Sequence, residues 1–279
     1  MRRLRLQMMA GGAILDPDAA AFLTAAGITN LTIITAINTL VLDLKGYGLW
    51  TKMKAIYPFV GGTASTHKYN LKDPQDLDAA FRLVFNGGWT HSANGAQPNG
   101  TNAYANTFLT PSANQSLTSG HFSLYSRTSA ASANTNTFGA SGVRDDPTVR
   151  CSVLIIRRSL DNIRTIAMWG EGANDVTPSS IETDGRGFYV GSRTAANSLV
   201  LYKNGISVSS VSGNQTQTQL STRSYFLSVV NQNGNPSIGS YDNKELAFGS
   251  IGDGLTNTEA ADFYTAVQAF QTTLNRQVI

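Results

Sequence analysis

This chain is short of the residues that most often carry chemistry. It has one cysteine, Cys151, so no internal disulfide can form. Cys151 lies in RCSVLII (150–156), an apolar strand-like run, and reads as a small buried hydrophobe rather than a nucleophile. Charged residues make up 14% of the chain, against roughly 25% in ordinary globular domains. Only four glutamates are present: Glu171, Glu182, Glu245 and Glu259. None falls in the E-x-D-x-x-E strand pattern that would set two carboxylates side by side for glycoside hydrolysis. Glu171 and Asp175, in WGEGAND, are the nearest pair, and they sit in a Gly-rich turn where strand spacing is lost. The histidines are His67, His91 and His121, too far apart in sequence for a zinc motif. There is no G-x-S-x-G and no phosphate-binding glycine loop. These absences argue against an enzyme.

Long apolar runs are missing too. No segment reaches the roughly 20 apolar residues that a spanning helix needs, so no membrane insertion is expected. MRRLRLQMMAGGAIL starts basic, but Gln7, Gly11 and Gly12 break its apolar part and no small-x-small cleavage site follows, which reads against a signal peptide. The net charge is +3 and the pI about 9.0. The charge is diffuse: Arg2, Arg3 and Arg5 form one cluster and Arg157-Arg158 another, neither interleaved with aromatics. No nucleic-acid partner is expected.

What the chain does have is glycine (26 residues), asparagine, serine, threonine and many short apolar runs. Asp16-Pro17 opens a helical stretch, since Asp caps and Pro suits the first turn. That stretch runs to Gly27. TIITAINTLVLDLKGYG repeats the pattern, with Ile33, Ile34, Ile37, Leu40, Val41 and Leu44 on one face, and LWTKMKAI adds a further short turn of helix. After Pro58 the texture becomes that of strands. Candidates are 79–85, 102–109, 121–128, 149–156, 163–169, 187–193, 198–204, 206–211, 223–230 and 244–251, separated by Asn-Gly and Asp-Gly turns. LVLYKNGISV (199–208) is the sharpest of them, because a two-residue Asn-Gly turn between apolar runs specifies a hairpin. Thr256 and Glu259 then cap a last helix whose Phe263, Val267, Phe270 and Leu274 share a face. About ten strands without interleaved helices mean a sandwich or a barrel.

The final pieces resemble the closing half of a concanavalin A-like jelly roll of the laminin-G and pentraxin type. Tyr202, Asn204 and Gly205 match its Y-x-NG hairpin; Ala247–Ile251 and Gly254–Glu259 match its late strand and the turn into a helix. The front block YPFVGGTASTHKYNLKDPQDLDAAFRLVFNGGWTHSANGAQPNGTNAYANTF (57–108) resembles one that precedes such domains in virion proteins of tailed phages, those of Bacteroidetes hosts and crAss-like phages among them. The resemblance implies a mainly β chain: a helical attachment and assembly segment over 1–54, then a concanavalin A-like sandwich over 55–279. It implies a non-enzymatic structural protein of the virion exterior, in the tail, a fibre or the capsid surface. The expected partners are other virion proteins, further copies of the chain and a host-surface glycan. A decoration subunit without ligand is the alternative, as is a secreted bacterial glycan-binding or glycan-degrading protein.

Sugar binding needs an aromatic platform beside amides and carboxylates. Two groups fit: Trp89 with His91 and Asn94, and Trp169 with Asn174 and Asp175, both at strand ends entering Gly/Asn-rich loops. The competing reading of each tryptophan is a cap on the sandwich core. No cofactor is expected beyond a calcium ion at Asp145 and Asp146, because calcium prefers clustered oxygens and often sits at the rim of such sandwiches. The basic Arg2, Arg3 and Arg5 would dock on an acidic neighbour in the particle.

Overall fold

A computed structural model describes residues 15–131, 139–145, 150–168, 178–212 and 218–278. Strands form two sheets that pack face to face as a jelly-roll sandwich. The first sheet runs in the order Ile206–Val211, Ser198–Lys203, Gly187–Ala195, Gly120–Ser126, Leu246–Gly252, Gly95–Pro98 and Trp89–Ser92, and Met53–Tyr57 also pairs with Leu246–Gly252. The second runs Ser179–Ile181, Ile163–Met168, Arg150–Ile155, Ala140–Asp145, Phe226–Leu227, Tyr104–Asn106 and Val84–Asn86. Pairing is antiparallel except where Val230–Gln232 runs parallel to Ala140–Asp145. The short strands between 84 and 106 are divided between the two sheets.

The period of two explains which residues meet. In the strand Gly120–Ser126, Phe122 and Leu124 face the second sheet, where they pack with Val143, Leu154, Ile166 and Tyr225. Tyr125 faces the other way and joins Phe188, Val190, Tyr202 and Phe248. That outer surface is covered by helices Pro17–Ala25, Leu31–Gly46 and Asn257–Thr273, through Phe22, Ile37, Leu40, Phe263, Val267 and Phe270. The central strands of the first sheet are therefore buried on both faces, as the unbroken burial of Gly120–Ser126 and Leu246–Gly252 records. Phe263 sits edge-on to Phe188 at 5.0 Å and to Phe248 at 5.9 Å, a favoured aromatic geometry.

Caps and turns form where the residues require them. Asp16 accepts from the backbone of Asp18, and Thr256 and Glu259 form a capping box. Asn204 and Gly205 have φ of 51° and 75°, the positive pair that a tight hairpin turn demands. A Cβ on Gly205 would stand 3.0 Å from Ala261 Cα and Tyr264 Cβ, so the last helix rests directly on this turn.

Three expectations are corrected. Met53–Tyr57 is a strand rather than a turn of helix, because Trp50–Lys52 closes the helical region and the Leu246–Gly252 strand offers a partner. In 79–85 only Val84 and Phe85 are extended; Asp78–Ala80 is a 3₁₀ turn and Phe81 takes φ 60°. The stretch 223–230 is interrupted at Ser228, whose φ of 66° breaks the ladder between Phe226–Leu227 and Val230–Gln232.

Candidate functional site

Trp89, His91 and Asn94 fall on one short hairpin, Trp89–Ser92 with Gly95–Pro98. They do not make an open platform. Trp89 donates its indole N–H to the carbonyls of Asn86 (3.0 Å) and Tyr104 (3.3 Å), and its ring packs against Phe85 and His91. Trp89 thus caps the edge of the core. His91 instead meets His67, with Nδ1 to Nδ1 at 2.9 Å. The backbone N–H of Gly62 donates to His67 Nε2, so neutral His67 holds its proton on Nδ1 and donates it to His91. Burial, then the nearby His91 and Arg276, push the pKa of His67 down to about 3, and burial lowers that of His91. Asn94 is exposed at the hairpin tip. Trp169, Asn174, Asp175 and Glu171 lie outside the described residues, as do Asp146 and Arg2, Arg3 and Arg5.

Asp145 ends a second-sheet strand and faces Arg150 at 3.5 Å, opposite it in the ladder. Among the described residues no group of three or more His, Cys, Asp or Glu side chains is gathered for a metal.

The described glutamates are all in ion pairs. Glu182 is 4% exposed and accepts from Tyr189 Oη (2.7 Å), Lys203 Nζ (2.9 Å), Arg164 and the backbone of Asp184. Burial raises its pKa, but the bonds from Lys203, Tyr189 and Asp184 outweigh it and hold the carboxyl below its usual range. A general acid needs the opposite shift. Glu245 pairs with Arg127 at 2.8 Å, and Glu259 pairs with Lys52 while capping its helix.

Two clefts remain. One, of about 470 Å³, lies where the loop between the first two helices meets residues 60–66, Ala93 and Leu274; Ile28, Ile33 and Val60 wall it, with Thr29, Thr32 and Thr66 at its edges. No charged side chain lines it. The other, of about 420 Å³, opens on the outward face of the second sheet. Its floor is Ala140, Val153, Ile155 and Val230, each under 10% exposed. These belong to an apolar cluster made wholly of strand residues, to which no described helix contributes. Arg144, Arg158, Gln232, Ser237 and Ser240 complete the lining. Sequence reading noticed Arg158 only as half of a basic pair. The signal it left unused was alternation: Arg144 shares a face with Ala140, and Cys151 with Val153 and Ile155.

No protein-family model and no curated protein matches the chain. Solved structures do. Domain 4 of AbnA, a GH43 extracellular arabinanase from Geobacillus stearothermophilus solved in complex with arabinotriose, is 14% identical, with a TM-score of 0.50 over 76% of this chain and 98% of that one. A chain named HCR/D-Sa-GBL1/C is 8% identical, with a TM-score of 0.52 over 78% of this chain and 53% of that one. The CBM40 of the Ruminococcus gnavus IT-sialidase is 12% identical, with a TM-score of 0.37 over 52% and 82%. At these identities the first two establish the fold, a mainly β jelly-roll sandwich of two sheets, and no more.

Proposed function

We propose that this chain is a non-enzymatic, lectin-like module of a tailed-phage virion, which turns its second sheet outward to bind host-surface glycans. The observation that carries the reading is the asymmetry of the sandwich. One outer face is sealed by three helices, and the other keeps a cleft with an apolar floor and a polar rim. That combination suits a sugar, whose ring has an apolar face and a hydroxylated edge. The glycan-related sandwich domains of like fold are in keeping with it. The described glutamates, Glu182, Glu245 and Glu259, are held in ion pairs, which favours binding without hydrolysis. The virion setting rests on the resemblance of residues 57–108 to phage proteins. Repetition in a symmetric particle would make a weak single site effective, because linked sites raise the local concentration.

Two measurements test this. The purified chain is screened on a glycan array and assayed for release of reducing sugar; binding without hydrolysis is expected, and hydrolysis or no binding would overturn the lectin reading. Antibody raised against the chain should decorate intact particles of the phage that encodes it. Particles lacking the protein would remove the virion assignment.

A further inference from the structure

We infer that the second-sheet cleft takes an acidic oligosaccharide, one whose sugars carry carboxylates, and that Arg144 and Arg158 mark the two ends of its site. This rests on the glycan-binding reading and adds the ligand's charge and length.

The cationic lining is the first ground. Among the described residues of the lining the charged side chains are Arg144 and Arg158, and none is a carboxylate. A guanidinium is planar, permanently charged and matched to a carboxylate by two parallel N–H donors. Asp161, outside the lining, holds Arg158 by Nε (2.8 Å to Oδ1) and by its NH2 group, which fixes the orientation of the guanidinium.

The spacing is the second. Arg144 stands opposite Cys151 in the ladder, and Arg158 follows the far end of the same strand, beyond Ile155. From Cys151 to Ile155 is four residues, about 13 Å of strand at ~3.3 Å per residue. The apolar floor of Val153 and Ile155 lies along that length. One sugar ring spans roughly a third to a half of it, so the site accommodates a short oligosaccharide with charge at both ends rather than a single acidic monosaccharide.

The rim is the third. Gln232 lies beside Arg144 across the parallel pairing. Ser240 is anchored, accepting from the backbone of Val230 (2.8 Å) and donating to the carbonyl of Ser237 (2.9 Å). Its wall is therefore set before any ligand arrives, and an amide and hydroxyls are in place for the hydroxyls of a sugar. The described lining offers aliphatic side chains and no aromatic platform, and such a surface binds a neutral ring weakly, so charge is the main affinity these residues supply.

The test is an array holding acidic and neutral glycans, followed by calorimetry on each acidic hit and its methyl ester, which keeps the sugar and removes the charge. Acidic glycans should dominate the hits. The ester should bind at least tenfold more weakly, and affinity should fall as salt rises. Arg144→Gln should lower affinity at least tenfold in a variant that circular dichroism shows to be folded. Should that variant fail to fold, Gln232→Glu sets a carboxylate beside Arg144 that competes with the ligand's own and repels it, and should give the same loss. Hits confined to neutral glycans, or equal binding of acid and ester, overturn the acidic assignment and leave glycan binding standing. No binding to any glycan overturns both.

Discussion

The two outer faces of the sandwich are built on opposite principles. Behind the first sheet lie aromatic rings and three helices: Tyr125, Phe188 and Phe248 interlock with Phe22, Phe263 and Phe270. Behind the second, the described residues form a cluster of six, all from strands and none aromatic. Burial drives both, since removing apolar area from water stabilises by about 25 cal/mol per Å². The first face has spent that surface on its own helices. The second keeps part of it at the floor of a cleft, where a ligand can still use it. Stability and recognition are thus allotted to different sheets, and substitutions should separate them.

The largest effect is expected at Arg276, on the sealed side. It is 1% exposed, yet among the described residues no carboxylate pairs with it directly. Its five N–H groups go to Pro58 O, Phe59 O, Ala93 O, Ala247 O and Gln271 Oε1, at 2.6 to 3.4 Å. Burial, with Arg127 nearby, brings its pKa down to about 9, so it stays charged at neutral pH. One side chain ties the end of the chain to a loop, a hairpin turn and a central strand. Arg276→Met strands several buried acceptors, each worth roughly 1–3 kcal/mol. A loss of about 5 kcal/mol by urea unfolding is expected; a loss below ~1 kcal/mol would mean that these bonds are replaced at no cost.

A paired comparison of the faces comes next. Phe263→Ala removes a ring held by Phe188 and Phe248 and should cost about 3–5 kcal/mol. Val153→Ala, on the open face, should cost about 1 kcal/mol and weaken glycan binding instead. Equal costs at the two positions would erase the distinction between a structural face and a recognition face.

Acid should also find the sealed side first. His121 is fully buried there: Nδ1 donates to the carbonyl of Asp253 (2.6 Å) and Nε2 accepts from Ser250, which in turn meets Ser123. Burial pulls its pKa to about 4, and that of His67 to about 3. Both folded values lie below the unfolded value of roughly 6.5. Below pH 6.5 the unfolded chain binds protons that the native chain refuses, so stability present above that pH is lost as pH falls towards 4. The slope is about 1.4 kcal/mol per pH unit for each histidine. Melting temperatures measured from pH 7 to 4.5 should fall with that slope, and His121→Asn should flatten it. A flat profile in the parent chain would show that neither imidazole is kept neutral by the fold.

Local signals were legible where one or two residues decide the backbone. Asp16-Pro17 begins a helix, Asn204-Gly205 makes the hairpin, and Thr256 with Glu259 caps the last helix. Signals failed where tertiary partners decide. Met53–Tyr57 is buried at four of five positions, so it lacks the alternation that marks a half-buried strand. Trp89–Ser92 and Gly95–Pro98 are too short and polar to stand out. His67 and His91 are 24 residues apart and meet only because the 58–67 loop folds over the hairpin. Arg276, a cation near the end of the chain, reads as solvated, and only its ring of carbonyls accounts for its burial.

The smallest effect should be at Asn94, and it discriminates between the hairpin and the sheet as the place of recognition. The tight tip between Ser92 and Gly95 leaves Asn94 exposed, and the backbone N–H of Asn94 donates to Ser92 Oγ (3.0 Å). Trp89 beside it is committed to Asn86, Tyr104 and Phe85. Asn94→Ala keeps the backbone bond and removes only a solvated amide. Stability should change by less than about 0.5 kcal/mol, as at ordinary surface positions. Affinity for any glycan that binds the second sheet should not change, because hairpin and cleft belong to different sheets. A large loss of affinity in this variant, with Arg144→Gln silent, would move recognition to the Trp89 hairpin and make the second-sheet cleft a bystander.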